Sequence, residues 1–244
     1  MSLIIANWKM NFTLKNAIDF CQKIIKDRML ITDNLLIAAP TLYLTYLSHA
    51  FPAITFCAQD VSSIENYGSY TGECSANMLF NSDIKYAIIG HSERRLNFKE
   101  SNELIQKKSY NCIKAGIVPI ICIGENIDIR NKNQHKEFIK KQCIESIGYN
   151  NMSKIIIAYE PVWSIGTGDL PKVEYIAEIF DLIDSLKNCG DIKCNISLVY
   201  GGSVNASNIS SILRIDKISG ILLGKASIDY EQFTQIINFN NSLC

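Results

Sequence analysis

Glu160 stands directly after the apolar run Ile155 to Tyr159 and directly before Pro161 to Gly168, a loop that ends Ile-Gly-Thr-Gly. A run apolar on both faces reads as a parallel strand buried between a core and a helical layer. That position sets a carboxylate where a base could work beside a small anionic substrate. A strand-end carboxylate could equally cap a helix or pair with a basic group. The functional reading gains weight because other apolar runs also end in reactive residue types. Asn7 with Lys9 marks the end of the first run, His91 with Glu93 that of the fourth, and Cys122 with Glu125 that of the fifth.

Each of these residues has an ordinary alternative. A strand-like continuation past Asn7 is expected to point Asn7 and Lys9 to one side and Trp8 outward; a lysine there could simply be solvated. His91 precedes Ser92, Glu93, Arg94 and Arg95. A helix start there could orient the imidazole and leave one ring nitrogen for a substrate, or the ring could be a satisfied structural histidine. Glu93 could hold Lys9 or a nearby arginine, or act on substrate. Glycines mark three loops: Ile165 to Gly168 within the loop after Glu160, Gly201-Gly202-Ser203 and Gly224. Small residues let main-chain N–H groups approach phosphate oxygens without a large basic patch, although glycines also serve turns.

These groups need a frame that gathers strand ends distant in sequence. Apolar runs occur at Leu3 to Asn7, Leu35 to Ala39, Ile54 to Cys57, Tyr86 to Gly90, Val118 to Ile123, Ile155 to Tyr159, Ile196 to Tyr200 and Ile218 to Leu223. Helical patterns alternate with them at Leu14 to Asp27, Leu42 to Leu47, Ala76 to Asn81, Ser101 to Ala115, Asn133 to Ser146, Lys172 to Lys187, Ala206 to Leu213 and Ile228 to Asn240. Such alternation predicts an α/β chain whose eight parallel strands close into a (β/α)₈ barrel, one domain over residues 1–244, with chemistry at the carboxyl ends of the strands. Asn205 or Ser207 is expected to cap the seventh helix, and Gly116 and Gly190 to stop helices.

Composition narrows the function classes. The chain has 244 residues, 48% of them hydrophobic, and its 24 basic residues balance its 24 acidic ones. No global field favours nucleic acid or an anionic membrane. No apolar segment approaches the roughly 20 residues needed to span a bilayer, and the start of the chain reads as untargeted. Nine cysteines without a close Cys-x-x-Cys pair, beside three histidines, predict reduced thiols and no metal centre. A cytoplasmic location follows from that reading.

The motifs Asn-Trp-Lys-Met-Asn at 7–11, Tyr-Ala-Ile-Ile-Gly-His-Ser-Glu-Arg-Arg at 86–95, Ala-Tyr-Glu-Pro-Val-Trp-Ser-Ile-Gly-Thr-Gly at 158–168 and Tyr-Gly-Gly-Ser-Val at 200–204 occur in that order. Together they resemble the triosephosphate isomerase family over nearly the whole chain. The resemblance implies the TIM barrel and a place in glycolysis and gluconeogenesis. It also implies interconversion of dihydroxyacetone phosphate and glyceraldehyde 3-phosphate through an enediolate, with no cofactor. Glu160 would be the base, His91 the neutral electrophile, and Lys9 and Asn7 the groups that stabilise charge or orient substrate.

By the same resemblance Pro161 to Pro171 is a closing lid, Gly166 a phosphate donor, and Ser203 and Gly224 phosphate contacts. Ser92, Glu93, Cys122 and Trp163 are supports. The segment 67–73, with Tyr70, Thr71, Gly72 and Glu73, would enter a second copy of the chain in a homodimer. The chain departs from the family pattern where Lys225 replaces a glycine, serving through its N–H or its side chain, and at the lid end Asp169-Leu170-Pro171. The competing readings are another phosphosugar isomerase or epimerase on the same barrel, and a non-catalytic phosphate-binding barrel acting as a structural or interaction module.

Overall fold

Parallel pairing runs without a break from β1 through β8 and back to β1, so the sheet closes and has no free edge. The strands are β1 (Leu3–Asn7), β2 (Leu35–Ala39), β3 (Thr55–Ala58), β4 (Tyr86–Ile89), β5 (Val118–Ile123), β6 (Lys154–Tyr159), β7 (Asn195–Tyr200) and β8 (Ile218–Leu223). The helices are α1 (Leu14–Lys26), α2 (Thr41–Ala50), α3 (Ala76–Asn81), α4 (Ser92–Asn97), α5 (Asn102–Ala115), α6 (Ile127–Asn131), α7 (His135–Ile147), α8 (Val173–Asn188), α9 (Ile209–Ile212) and α10 (Tyr230–Asn241). This is a computed structural model, and it describes residues 2–148, 154–164, 170–188, 190 and 192–243.

Alternation along the strands builds two cores. Ile5, Leu36, Ala38, Cys57, Ile88, Ile120, Cys122, Ile156, Ala158, Val199 and Leu222 fill the barrel interior. Their neighbours, including Ile155, Ile157 and Tyr159 on β6, face the helical layer. The period of two then fixes which strand-end residues look inward. Glu160 shares parity with Ile156 and Ala158, and Asn7 with Ile5, so both belong to the interior side.

The strands lie close to where the sequence places them, and α8 buries Ile176, Phe180 and Ile183 as its apolar stripe requires. Gly116 ends α5 in the left-handed region at φ +84°. Three local readings change. Asn133 has φ +55°, which breaks the expected helix there and leaves α7 to start at His135. The seventh helical stretch shortens to α9, and the Asn205 side chain accepts the N–H groups of Ser207 and Asn208 in the turn that leads into it. Two short helices, α4 and α6, follow the fourth and fifth strands.

Candidate active site

The end of β4 is built around a required glycine. Gly90 has φ +63°, and a Cβ there would lie 2.7 Å from Ile105 Cδ1. The turn it permits makes His91 the residue that precedes α4. The main-chain N–H of Glu93 donates to His91 Nδ1 at 3.2 Å. Accepting that bond uses the Nδ1 lone pair, which places the proton of an uncharged ring on Nε2. The helix start therefore orients this ring, as the sequence suggests.

Glu160 comes to the same place from β6. Its N–H donates to the Ile123 carbonyl at 2.7 Å, and its side chain is 1% exposed. Oε2 accepts the Ser92 main-chain N–H at 3.0 Å. Oε1 lies 3.2 Å from His91 Nε2, yet the two are not aligned for a hydrogen bond and Oε1 is otherwise unpartnered. Glycines make room for both the side chain and the main chain of Glu160. A Cβ on Gly201 would sit 2.9 Å from Glu160 Cγ, and one on Gly124 would sit 1.7 Å from the Glu160 carbonyl oxygen.

Lys9 reaches the site by a route the sequence does not suggest. Its φ is +52°, so the chain leaves the strand in the left-handed region rather than continuing extended. Asn7 Oδ1 accepts the Lys9 N–H at 3.0 Å and holds that turn, while the Gln59 amide donates to the Lys9 carbonyl. Trp8 does pack outward, edge-on to Phe12 and Phe20. Lys9 Nζ donates to Glu93 Oε1 at 2.6 Å. Of the two roles open to Glu93, the one seen is holding the lysine.

The last two loops close the ring of candidates. Ser203 Oγ donates to the Ser164 carbonyl at 2.6 Å, joining the β7 loop to the start of the loop after β6. A Cβ on Gly224 would lie 3.4 Å from Lys9 Cε. Lys225 opens a one-turn 3₁₀ helix without a positive φ, so its Cβ brings no backbone strain. Its side chain is exposed and makes no ion pair among the described residues. Gly166 lies outside the described residues.

A family model described as triosephosphate isomerase matches residues 2–240. The chain belongs to the triosephosphate isomerase family. It is 43% identical over 242 residues to the triosephosphate isomerase of Orientia tsutsugamushi (strain Boryong), covering 97% of this chain and 96% of that one. Identity to the triosephosphate isomerase of Neisseria meningitidis serogroup A is 41%, with 96% of each chain covered. A crystal structure of triosephosphate isomerase from Bartonella henselae superposes with a TM-score of 0.86 at 31% identity, covering 98% of this chain and 99% of that one. The chain is thus an isomerase on a TIM barrel.

For this member of the triosephosphate isomerase family, the structure brings Asn7, Lys9, His91, Ser92, Glu93 and Glu160 together. Ser92 contributes its main-chain N–H rather than its hydroxyl. Cys122 is fully buried under the site, and burial, then the adjacent Glu160 charge, pushes its thiol well above the ordinary value. It is a filler of the barrel interior, not a nucleophile. Trp163 Nε1 donates to Glu125 Oε1 at 3.1 Å, and that same oxygen accepts from the Tyr159 hydroxyl and Arg130. Burial, then the Glu125 charge, holds the Tyr159 hydroxyl well above its usual range, so it stays a donor. Glu125 and Arg95 are the residues whose structural importance exceeds their sequence signal. Glu125 is visible in the sequence as a strand-end acid, while Arg95 stands there only as one of two arginines after Glu93.

Proposed function

We propose that the chain, as a single catalytic domain, interconverts dihydroxyacetone phosphate and D-glyceraldehyde 3-phosphate through a cis-enediolate. Glu160 removes the proton beside the carbonyl and returns one to the adjacent carbon. His91, neutral and carrying its proton on Nε2, polarises the carbonyl and moves protons between the two oxygens. This division of labour is the one known for the family. The carrying observation is that Glu160 Oε1 and His91 Nε2 lie 3.2 Å apart and that Oε1 has no hydrogen-bond partner among the described residues.

The chemistry needs both groups together. A carbon acid next to a ketone is too weak for a carboxylate alone, so negative charge growing on oxygen must be met as the proton leaves. Lys9 and Asn7 supply positive charge and orientation. Gly166, Ser203, Gly224 and Lys225 grip the phosphate through main-chain N–H groups, with Lys225 acting by its N–H while its side chain reaches solvent. Closure of the 161–171 loop excludes water and protects the enediolate. Neither a metal nor an organic cofactor enters this scheme.

Two further parts of the reading concern assembly and location. Met10, Leu42, Tyr67, Tyr70 and Phe98 are exposed in the segments that follow β1, β2, β3 and β4, which neighbour one another in the barrel. An apolar sector of this kind supports a homodimer in which Tyr70, Thr71, Gly72 and Glu73 dock on a second copy. No described helix is long and apolar enough to cross a membrane, and the seven described cysteines are free thiols. The free thiols fit a cytoplasmic setting.

Isomerisation of glyceraldehyde 3-phosphate in deuterated water is the direct test. The expected result is turnover with solvent deuterium entering the product. Absence on trioses with activity on a pentose phosphate would overturn the substrate assignment. Sedimentation at assay concentration tests the dimer, where a fully active monomer would refute it.

A further inference from the structure

The β4–β5 ladder stops at Ile89↔Ile121 because Gly90 turns away at φ +63°. Carbonyls just beyond a broken ladder need another donor. Arg95 supplies it. Its Nε donates to the Gly90 carbonyl at 2.8 Å, and its Nη2 donates to the Cys122 carbonyl at 3.0 Å. The far side of the guanidinium is anchored as well, Nη1 to Asn102 Oδ1 at 2.6 Å and Nη2 to Ser146 Oγ at 3.3 Å. The Arg95 main-chain N–H donates to the His91 carbonyl at 3.1 Å.

Both carbonyls lie one step from the reacting groups. Gly90 is bonded to His91, so its peptide unit sets where the ring begins. Cys122 is bonded to Ile123, whose carbonyl accepts the Glu160 N–H. One planar fork thus ties the end of β4, which carries His91, to β5, whose Ile123 carbonyl holds the Glu160 main chain. A lysine, with a single nitrogen on a flexible stem, cannot reproduce that bidentate geometry. Burial pulls the guanidinium below its ordinary value, while the Glu160 and Glu100 carboxylates act in the opposite sense and favour the cation.

We propose that Arg95 is a positioning residue for the isomerase reaction, its guanidinium holding the Gly90 and Cys122 carbonyls and thereby setting His91 against Glu160. The proposal rests on the assignment of those two side chains as the acid–base pair. It extends that assignment to a residue that touches no substrate.

The experiment compares the full chain with Arg95→Lys and Asn102→Ala, the second of which loosens the fork from its outer end. Turnover, KM, inhibition by inorganic phosphate and imidazole ¹⁵N spectra are recorded for each. With three histidines in the chain, His91→Gln assigns the relevant resonance. Folded Arg95→Lys is expected to lose about 10²-fold in kcat, the scale of a misplacement near 1 Å, with KM and phosphate inhibition within about threefold of the parent. Its His91 Nδ1 resonance should shift. Asn102→Ala should lose kcat by a few-fold, with a smaller shift of the same resonance.

A folded Arg95→Lys in which either kcat or the His91 resonance stays at the parent value overturns the proposal. If Arg95→Lys does not fold, Asn102→Ala decides, and parental turnover with a parental spectrum overturns it. If the parent itself isomerises no triose phosphate, the assignment of the site fails. The ¹⁵N comparison then still decides whether Arg95 sets the ring.

Discussion

The carboxyl ends of β4 and β6 deliver the two facing side chains, and they hold them in different ways. At β4 the peptide units on both sides of His91 are tied to Arg95, and the ring accepts an N–H from the helix it precedes. At β6 the Glu160 main chain is fixed to Ile123, its carboxylate Oε2 accepts the Ser92 N–H, and Oε1 has no hydrogen-bond partner among the described residues and faces Gly201. His91, the proposed electrophile, is thus tied on more sides than the carboxylate of Glu160, the proposed base. A group that must polarise a growing charge works best prearranged, whereas one that carries a proton between two carbons needs travel.

The contrast breaks most visibly at the base. Glu160→Asp should lower kcat by about 10³-fold, since withdrawing the carboxylate by one methylene removes general-base catalysis, while inhibition by inorganic phosphate stays near parental. Steady-state kinetics with phosphate as inhibitor check this, and unchanged turnover would remove Glu160 from its role. Gly201→Ala should cost up to about 10²-fold in kcat, because its Cβ would press on Glu160 Cγ from 2.9 Å. A neutral result would mean the carboxylate never uses that space.

Ser92→Pro sharpens the same point. Ser92 is the first residue of α4, where proline is accepted, and His91 at φ −51°, ψ 145° already has the conformation that precedes proline. The substitution deletes the N–H that holds Oε2. It should cost less than about tenfold in kcat/KM if that bond only parks the base, and a loss like that of Glu160→Asp would make it part of the working geometry.

The smallest effect lies away from the site, where Lys136 and His135 approach Glu178. Burial alone would raise this carboxyl, but Lys136 first and His135 after it hold it below its usual 4.5. A lowered carboxyl contributes stability that is present above 4.5 and is lost as pH falls below it through the folded value. Melting temperatures of the parent and Glu178→Gln should therefore converge on acidification below that point. A gap that persisted in acid would exclude the linkage.

Much of this frame was legible in the sequence, for reasons the structure makes plain. Parallel strands buried on both faces leave uninterrupted apolar runs, and the residue after each run falls at the barrel mouth. Glu160, His91 and the glycine loops were found that way. The helices α4 and α6 are not legible, since neither buries an apolar side chain, whereas α3, as short as α4, buries Ala76 and Leu79. The left-handed turn at Lys9 breaks the extended pattern that the preceding apolar run suggests. Its cause is the Asn7 side chain folding back on the Lys9 N–H. Arg95 carries no such signal, because a half-buried fork and a solvated pair of arginines look alike in one dimension.

That folded-back amide ties two roles into one lesion. Replacing Asn7 takes away its own amide and also releases the backbone that aims the Lys9 ammonium, so a single substitution there reports on both residues at once. Separate energies for the two cannot be added, and a double-mutant cycle between them should show strong coupling even though their side chains share no salt bridge.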